Sequence, residues 1–293
     1  MVISKIISGL GNQLFQYAVG RQISIEKRVS LKLDITFFES QDLRSYKLNN
    51  YNINADIASS EEVKYFLYKY NNSLLPSKVL RKVEKLLPRT KRKLFKEEVP
   101  WQFEPELFKV SSNIYIDGYW QHYKYFENID PVIFKELTIK NPYTDFAKST
   151  MNDINNNESS VSIHIRRGDY ITDKQANNLM GVLPLSYYYS AVDMIKQRIV
   201  NPTFYIFSDD LDWARNNLKI SSSCYYIDGG KDYFDLDLMS NCKHNIIANS
   251  SFSWWGAFLN TNINKIVIAP KQWVLSENIN KNIELIFPSW IKI

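Results

Sequence analysis

Val161-Ser162-Ile163-His164-Ile165-Arg166-Arg167-Gly168-Asp169-Tyr170 sets the architecture of the chain around it. Its opening residues alternate with period two, which puts Ser162 and His164 on one face of a strand. The strand then stops at two arginines and a glycine turn, so two permanent positive charges stand at a sheet edge. Guanidinium matches phosphate oxygens in a two-pronged way that lysine cannot. A plain Arg–Asp surface pair is the competing reading of the same residues.

The same strand–loop–helix pattern recurs on either side. Val2–Ile7 leads into Ser8-Gly9-Leu10-Gly11-Asn12, and Gln13 to Ile25 reads as a helix. Thr203–Phe207 stops at Ser208-Asp209-Asp210, with a helix expected from Asp212 to Leu218. His244–Ala248 enters Asn249-Ser250-Ser251-Phe252-Ser253, followed by Trp254-Trp255-Gly256, and Lys265–Ala269 reads as a further strand. Such alternation predicts an α/β fold with parallel, doubly wound sheets, whose ligands sit at the carboxyl ends of the strands. The polar stretch Met151–Ser159 reads as the boundary between a domain at 1–157 and one at 158–293.

The loops carry groups suited to a phosphorylated, hydroxyl-rich ligand. Gly9-Leu10-Gly11 permits a tight turn, although Leu14 stands where a dinucleotide fingerprint has its third glycine. Asn12 and Gln13 offer neutral donors and acceptors, or Asn12 simply caps the helix. Asn249-Ser250-Ser251-Phe252-Ser253 stands at the positive end of a helix, fit for an anion, or Ser251 or Ser253 simply caps that helix. Trp254 and Trp255 read better as core than as a stacking platform. Asp210-Leu211-Asp212 and Asp235-Leu236-Asp237 have a spacing that a divalent metal can bridge, but acids at a helix start need no metal. A P-loop is absent, which argues against a nucleotide kinase of that class.

Taken together, GLGNQLFQYAVG, HIRRGDY, FSDD and DLDLMSNCKHNIIANSSFSWWGAFLN resemble the α-1,2-fucosyltransferases of glycosyltransferase family 11 in order and spacing. The resemblance runs over roughly residues 1 to 275 and is least marked between about 40 and 150. It implies two Rossmann-like domains facing a cleft, the B-type glycosyltransferase architecture. Residues 1–157 would be the acceptor side and 158–293 the GDP-fucose-binding side. It also implies inverting transfer from GDP-β-L-fucose to O2 of a terminal galactose, with no metal and no other cofactor.

Under that resemblance Arg166 stabilises the leaving diphosphate, and His164 and Arg167 help to bind the nucleotide. Ser251 and Ser253 complete the phosphate cradle, Ser208, Asn249, Ser250 and Phe252 also bind the donor, and Asp209 or Asp210 accepts from guanine or ribose. Gly11, Asn12 and Gln13 face the sugars. Asp169 is the nearest carboxylate for a general base, but a carboxylate held by arginine is a poor base at neutral pH. Locking Arg167 is its other reading. Three alternatives stand beside this one: a fucosyltransferase of another linkage (α-1,6 or protein O-linked), a non-catalytic nucleotide- or carbohydrate-binding module with a membrane-surface helix, and a membrane-surface protein whose basic helix is the main function.

Bulk properties bound the setting. Hydrophobic residues make up 45% and charged residues 23% of the 293, which is globular composition. Cys224 and Cys242 have no metal-site spacing, so free thiols are expected. No apolar run approaches the ~20 residues that span a bilayer, and the N-terminus is not a signal peptide, so a cytoplasmic location is expected. Nine basic residues against Glu84 alone fall between Lys78 and Lys96, within a net charge of +5. Val79, Leu80, Val83, Leu86 and Leu87 share one face of a helix drawn through the start of that block. A peripheral membrane helix is expected there, serving a lipid-linked acceptor in polysaccharide or O-antigen synthesis. A solvated helix is the competing reading, and nucleic acid is not expected because no aromatics interleave the basic residues.

Overall fold

The computed structural model describes residues 1–67, 79 and 84–293. They form two compact units, Met1–Thr138 and Ile139–Ile293. Each is an α/β unit built on a parallel sheet.

In the N-terminal unit the strands are β1 (Val2–Lys5), β2 (Leu31–Asp34), β3 (Asp56–Ile57), β4 (Leu94–Lys96) and β5 (Ile114–Asp117). They stand in the order β3-β2-β1-β5-β4, and every pairing is parallel. β1 is central because Val2 and Ile3 are buried, as a strand covered on both faces requires. The helix Leu10–Lys27 returns across the sheet at close range: a Cβ on Gly20 would lie 2.8 Å from Leu31 and 3.0 Å from Ser4. Gly20 thus provides the close helix–strand packing that the buried Leu14 does not.

The C-terminal unit adds β6 (Ser160–Ile165), β7 (Thr203–Ser208), β8 (Cys224–Tyr226), β9 (His244–Ile246), β10 (Val267–Ala269) and β11 (Ile291–Lys292). Their order is β11-β10-β9-β6-β7-β8, again all parallel. One face of β6 (Val161, Ile163, Ile165) packs with Tyr188, Ala191, Val192 and Ile195 of the helix Leu185–Lys196. The other face carries a polar ladder: Asn245 donates to Ser162 at 2.8 Å and accepts from Asn260 at 2.8 Å.

The division falls earlier than the 157/158 boundary expected from the sequence. The helix Asp145–Asn155 contains much of the polar stretch read as a boundary, and it belongs to the C-terminal unit. Ala147, Thr150 and Ile154 are its buried face, and it packs against the helix Asp232–Asn241. Tyr143, just before it, stacks on Phe234 and donates to Asp237.

The basic block is described only in part. Residues 78 and 80–83 of the predicted membrane helix lie outside the described residues. Farther on the chain is not one helix: Arg89–Lys91 is a 3-10 turn and Leu94–Lys96 is strand β4. Arg89 pairs with Glu98 at 3.0 Å and Glu104 at 2.7 Å and covers the Phe95 ring, while Lys93 covers Tyr65. Among the described residues no helix is long and apolar enough to cross a membrane. Cys224 and Cys242 are free thiols.

Candidate functional site

In each sheet the chain changes direction of travel beside its central strand, between β1 and β5 in one unit and between β6 and β9 in the other. Connections leave to opposite sides there, and a crevice opens at the carboxyl end of the strand. Ser8–Asn12 follows β1 and Arg166–Asp169 follows β6, so both sequence motifs fall at switch points.

At the end of β6, Arg166 is held from two sides. Its Nη2 donates to Asp169 Oδ1 at 2.6 Å, and its Nη1 lies 2.9 Å from Asp209 Oδ2. Arg167 donates its backbone N–H to Asp209 Oδ1 at 2.9 Å and its Nε to Asp210 Oδ2 at 3.1 Å. Its guanidinium lies 3.6 Å from the centre of the Trp213 ring. Asp169 therefore braces Arg166, not Arg167 as one sequence reading had it; Asp210, arriving from the next strand, takes that part. Ser208 accepts the Asp210 N–H at 3.0 Å, and Asp210 in turn caps the helix Leu211–Asn217 through Trp213 N at 3.2 Å. Three carboxylates surround two guanidiniums, so what this cluster fixes is the direction of the arginine N–H groups rather than a large net charge.

His164 is buried beneath them, with its ring 5.3 Å from that of Phe252. Burial, helped by the Arg166 charge, pushes its pKa down to about 3, so the ring is neutral at physiological pH. Its Nδ1 has no hydrogen-bond partner among the described residues.

The Asn249–Ser253 loop divides into braces and free groups. Asn249 Nδ2 ties together the backbone oxygens of Met180 at 2.9 Å and Trp273 at 3.2 Å, and Tyr170 donates to the Asn249 carbonyl at 3.0 Å. Ser250, rather than Ser251 or Ser253, is the N-cap of the helix Ser251–Leu259, accepting from Phe252 N. Ser253 is buried, with its hydroxyl accepting from Ala248 N at 3.2 Å, so it supports the loop instead of facing a ligand. Ser251 and Phe252 remain half-buried at the helix start. Trp254 and Trp255 are core, with Trp254 stacked on Phe258 and Phe287.

Asp235 is a residue that the sequence reading passed over as half of an acidic pair. It lies in the first turn of the helix Asp232–Asn241, which follows β8 at the same carboxyl edge of the sheet. Its Oδ1 is buried without a partner among the described residues, and burial, then the charges of Asp232 and Asp228, push its pKa up to about 7. An unpaired buried carboxylate oxygen is costly and marks a place where a donor belongs. Asp212 is exposed beside Arg215, and among the described residues no group of three His, Cys, Asp or Glu is arranged to hold a metal ion.

In the N-terminal unit the loop after β1 separates Asn12 from Gln13. Gln13 is fully buried and braces the chain: Nε2 donates to the Ser8 and Ser45 carbonyls, each at 2.9 Å, and Oε1 accepts from Lys47 N at 2.9 Å. It does not face a sugar as the sequence suggested. Gly11 is buried in the first helical turn, and Gly9, without a side-chain bond, occupies the cap position considered for Asn12. Asn12 is half-buried and donates to Ser8 Oγ at 3.0 Å.

A cavity of about 550 Å³ in the C-terminal unit, lined by Leu183, Pro184, Tyr187, Pro270 and Lys271 among others, includes none of the predicted donor residues.

The chain is similar to known proteins over most of its length. An alpha-1,2-colitosyltransferase of Escherichia coli is 34% identical over 289 residues, covering 96% of this chain and 94% of that protein. The Escherichia coli O-antigen biosynthesis glycosyltransferase WbnK is 32% identical, with 99% of each chain covered. Galactoside 2-alpha-L-fucosyltransferase Sec1 of Mus musculus is 26% identical over 56% of this chain and 49% of its own length. Among solved structures, NodZ alpha-1,6-fucosyltransferase co-crystallized with GDP has the fold, with a TM-score of 0.51, 13% identity and coverage of 88% of this chain and 91% of that one. Arabidopsis thaliana FUT1 in complex with GDP has it also, with a TM-score of 0.51, 10% identity and coverage of 94% and 72%. The profile described as "Glycosyl transferase family 11" matches residues 1–293, and with two relatives above 30% identity over nearly the whole sequence, this chain is a glycosyltransferase belonging to that family.

Proposed function

We propose that the protein transfers L-fucose from GDP-β-L-fucose to O2 of a terminal galactose, with inversion and without a metal. The observation that carries this is Arg166, clamped by Asp169 and Asp209 at the switch point of the C-terminal sheet. As the glycosidic bond breaks, negative charge grows on the diphosphate, and a guanidinium already fixed in place stabilises it without reorganising. Arg167 and the N-terminus of the helix Ser251–Leu259, with the Ser251 hydroxyl, add donors for the same anion.

For the base, Asp235 replaces Asp209 and Asp210 in the guanine role, because those two are occupied by the arginines. A carboxylate suits the N1–H and exocyclic amine of guanine, and the unpaired Oδ1 of Asp235 and Nδ1 of His164 are groups that lack partners. Asn12, in the N-terminal unit, faces the sugars. Asp169 acts on Arg166 and not as a base. The acceptor is a galactose-terminated glycan, lipid-linked at the cytoplasmic membrane face; that it belongs to an O-antigen-like polysaccharide is the part supported by the name of the WbnK relative.

Colitosyl transfer is the second reading, favoured by the 34% identity to the colitosyltransferase. Colitose is fucose without its 3-hydroxyl, so the two donors test one contact. The protein is given GDP-fucose or GDP-colitose with lactose or N-acetyllactosamine in EDTA, and the product linkage is read by NMR. An α-1,2-fucosyl product supports the first reading. A product from GDP-colitose alone establishes the second, and a different linkage or an absolute metal requirement overturns both as stated.

A further inference from the structure

A relay of side chains leads away from Asn12 into residues far along the chain. Trp101 Nε1 donates to Gln121 Oε1 at 2.6 Å, Gln121 Nε2 donates to Asn12 Oδ1 at 2.5 Å, and Asn12 Nδ2 donates to Ser8 Oγ at 3.0 Å. An indole nitrogen is a donor only, so the direction of the whole relay is determined at its first member. Gln121 must turn its oxygen to Trp101 and its amine to Asn12. Asn12 must then turn its oxygen inward to Gln121 and its amine toward Ser8 and the loop. One Nδ2–H of Asn12 is used by Ser8, and the other has no partner among the described residues.

The backbone around this relay is strained at three places. Ser8, Trp101 and Trp120 have φ of 69°, 62° and 55°. The other non-glycine residues at positive φ among the described ones, Arg28 and Asn201, lie elsewhere, Arg28 at the end of a helix. Such conformations persist where surrounding structure over-determines them, and they gather at functional sites. The over-determination is visible: Glu97 accepts from Tyr119 N at 2.7 Å and Trp120 N at 3.0 Å. At Gly118 a Cβ would lie 2.5 Å from that of Glu97, so the turn before Gln121 packs its backbone closely against that residue.

We infer that Gln121 and Trp101 are positioning residues for sugar transfer: they hold the Asn12 amide so that its free N–H is presented to a sugar hydroxyl oxygen. This rests on the sugar-facing role of Asn12 proposed above. Gln121→Met keeps the length of the side chain and removes both hydrogen bonds.

The test uses the full chain and whichever nucleotide sugar the wild type turns over. Gln121→Met should lower kcat/KM for the acceptor by about tenfold or more, leave GDP affinity unchanged, and have no further effect in an Asn12→Ala background. An equal loss in both backgrounds, or no loss beside an impaired Asn12→Ala, overturns the inference while leaving the fucosyl reading intact. The Asn12 side-chain amide gives a readout independent of substrate. In the wild type the N–H bonded to Ser8 should exchange slowly, and both amide signals should shift in Gln121→Met; unchanged signals overturn the relay whatever the donor is.

Discussion

Asp209 reaches Arg166 through one oxygen, at 2.9 Å from Nη1, and accepts the Arg167 backbone N–H through the other, also at 2.9 Å. One carboxylate from the β7 loop thus fixes a side chain and the turn that follows it. Asp209→Ala should free both, and kcat should fall by roughly tenfold to a hundredfold, since one preorganised donor is worth about 3 kcal/mol when lost outright. Steady-state kinetics with GDP titration check this. A fall in GDP affinity with kcat unchanged would mean that Asp209 serves binding alone.

Gly168→Ala attacks the same clamp without touching a charge. A Cβ there would lie 2.5 Å from Asp209 Oδ2, so the carboxylate must move away from Arg166. The variant is expected to stay folded and to reproduce most of the kcat loss of Asp209→Ala, with circular dichroism and kinetics as the readouts.

The Asp235 carboxyl titrates at about 7 in the folded chain, raised from 3.8. The folded state therefore holds a proton that the unfolded state has given up, and stability falls as pH rises through that window. Asp235→Asn should match the wild type in stability near pH 4 and exceed it above pH 7, by thermal unfolding. GDP affinity should move the other way. Guanine donors favour the carboxylate, so wild-type affinity should rise through about pH 7, whereas the variant binds weakly and without that rise.

A half-buried ion pair ties the first helix to the end of the N-terminal unit. Glu136 takes Arg21 Nη2 at 2.8 Å and the Tyr17 hydroxyl, and burial holds that hydroxyl well above the usual tyrosine range. Glu136→Ala leaves the Tyr17 hydroxyl with the Asn54 N–H and Arg21 with a long bond to Ser24, and should cost about 2 kcal/mol, read by calorimetry. A change within experimental scatter would show that water replaces the carboxylate.

Much of this was legible in the sequence because β1 and β6 announce themselves. A β-branched or alternating strand that ends in glycine, asparagine or arginine is a local pattern, and it located both switch points. The helix Asp145–Asn155 was missed because its buried face is Ala147, Thr150 and Ile154, which gives little apolar signal. Gln13 and Asn12 are adjacent and chemically alike, so nothing local says which one is buried. Asp235 looks like any acid in a first helical turn until its unpaired oxygen is seen. Gln121 lies 109 residues from Asn12, and only the β1–β5 pairing brings the ends of those strands together.

The most direct measurement is GDP release from GDP-fucose with a galactoside acceptor in EDTA, for the wild type and Arg166→Ala. The geometry at the end of β6 predicts acceptor-stimulated release that survives EDTA and falls by about a hundredfold or more in the variant. Release at the wild-type rate from Arg166→Ala would contradict the role given to the clamped guanidinium.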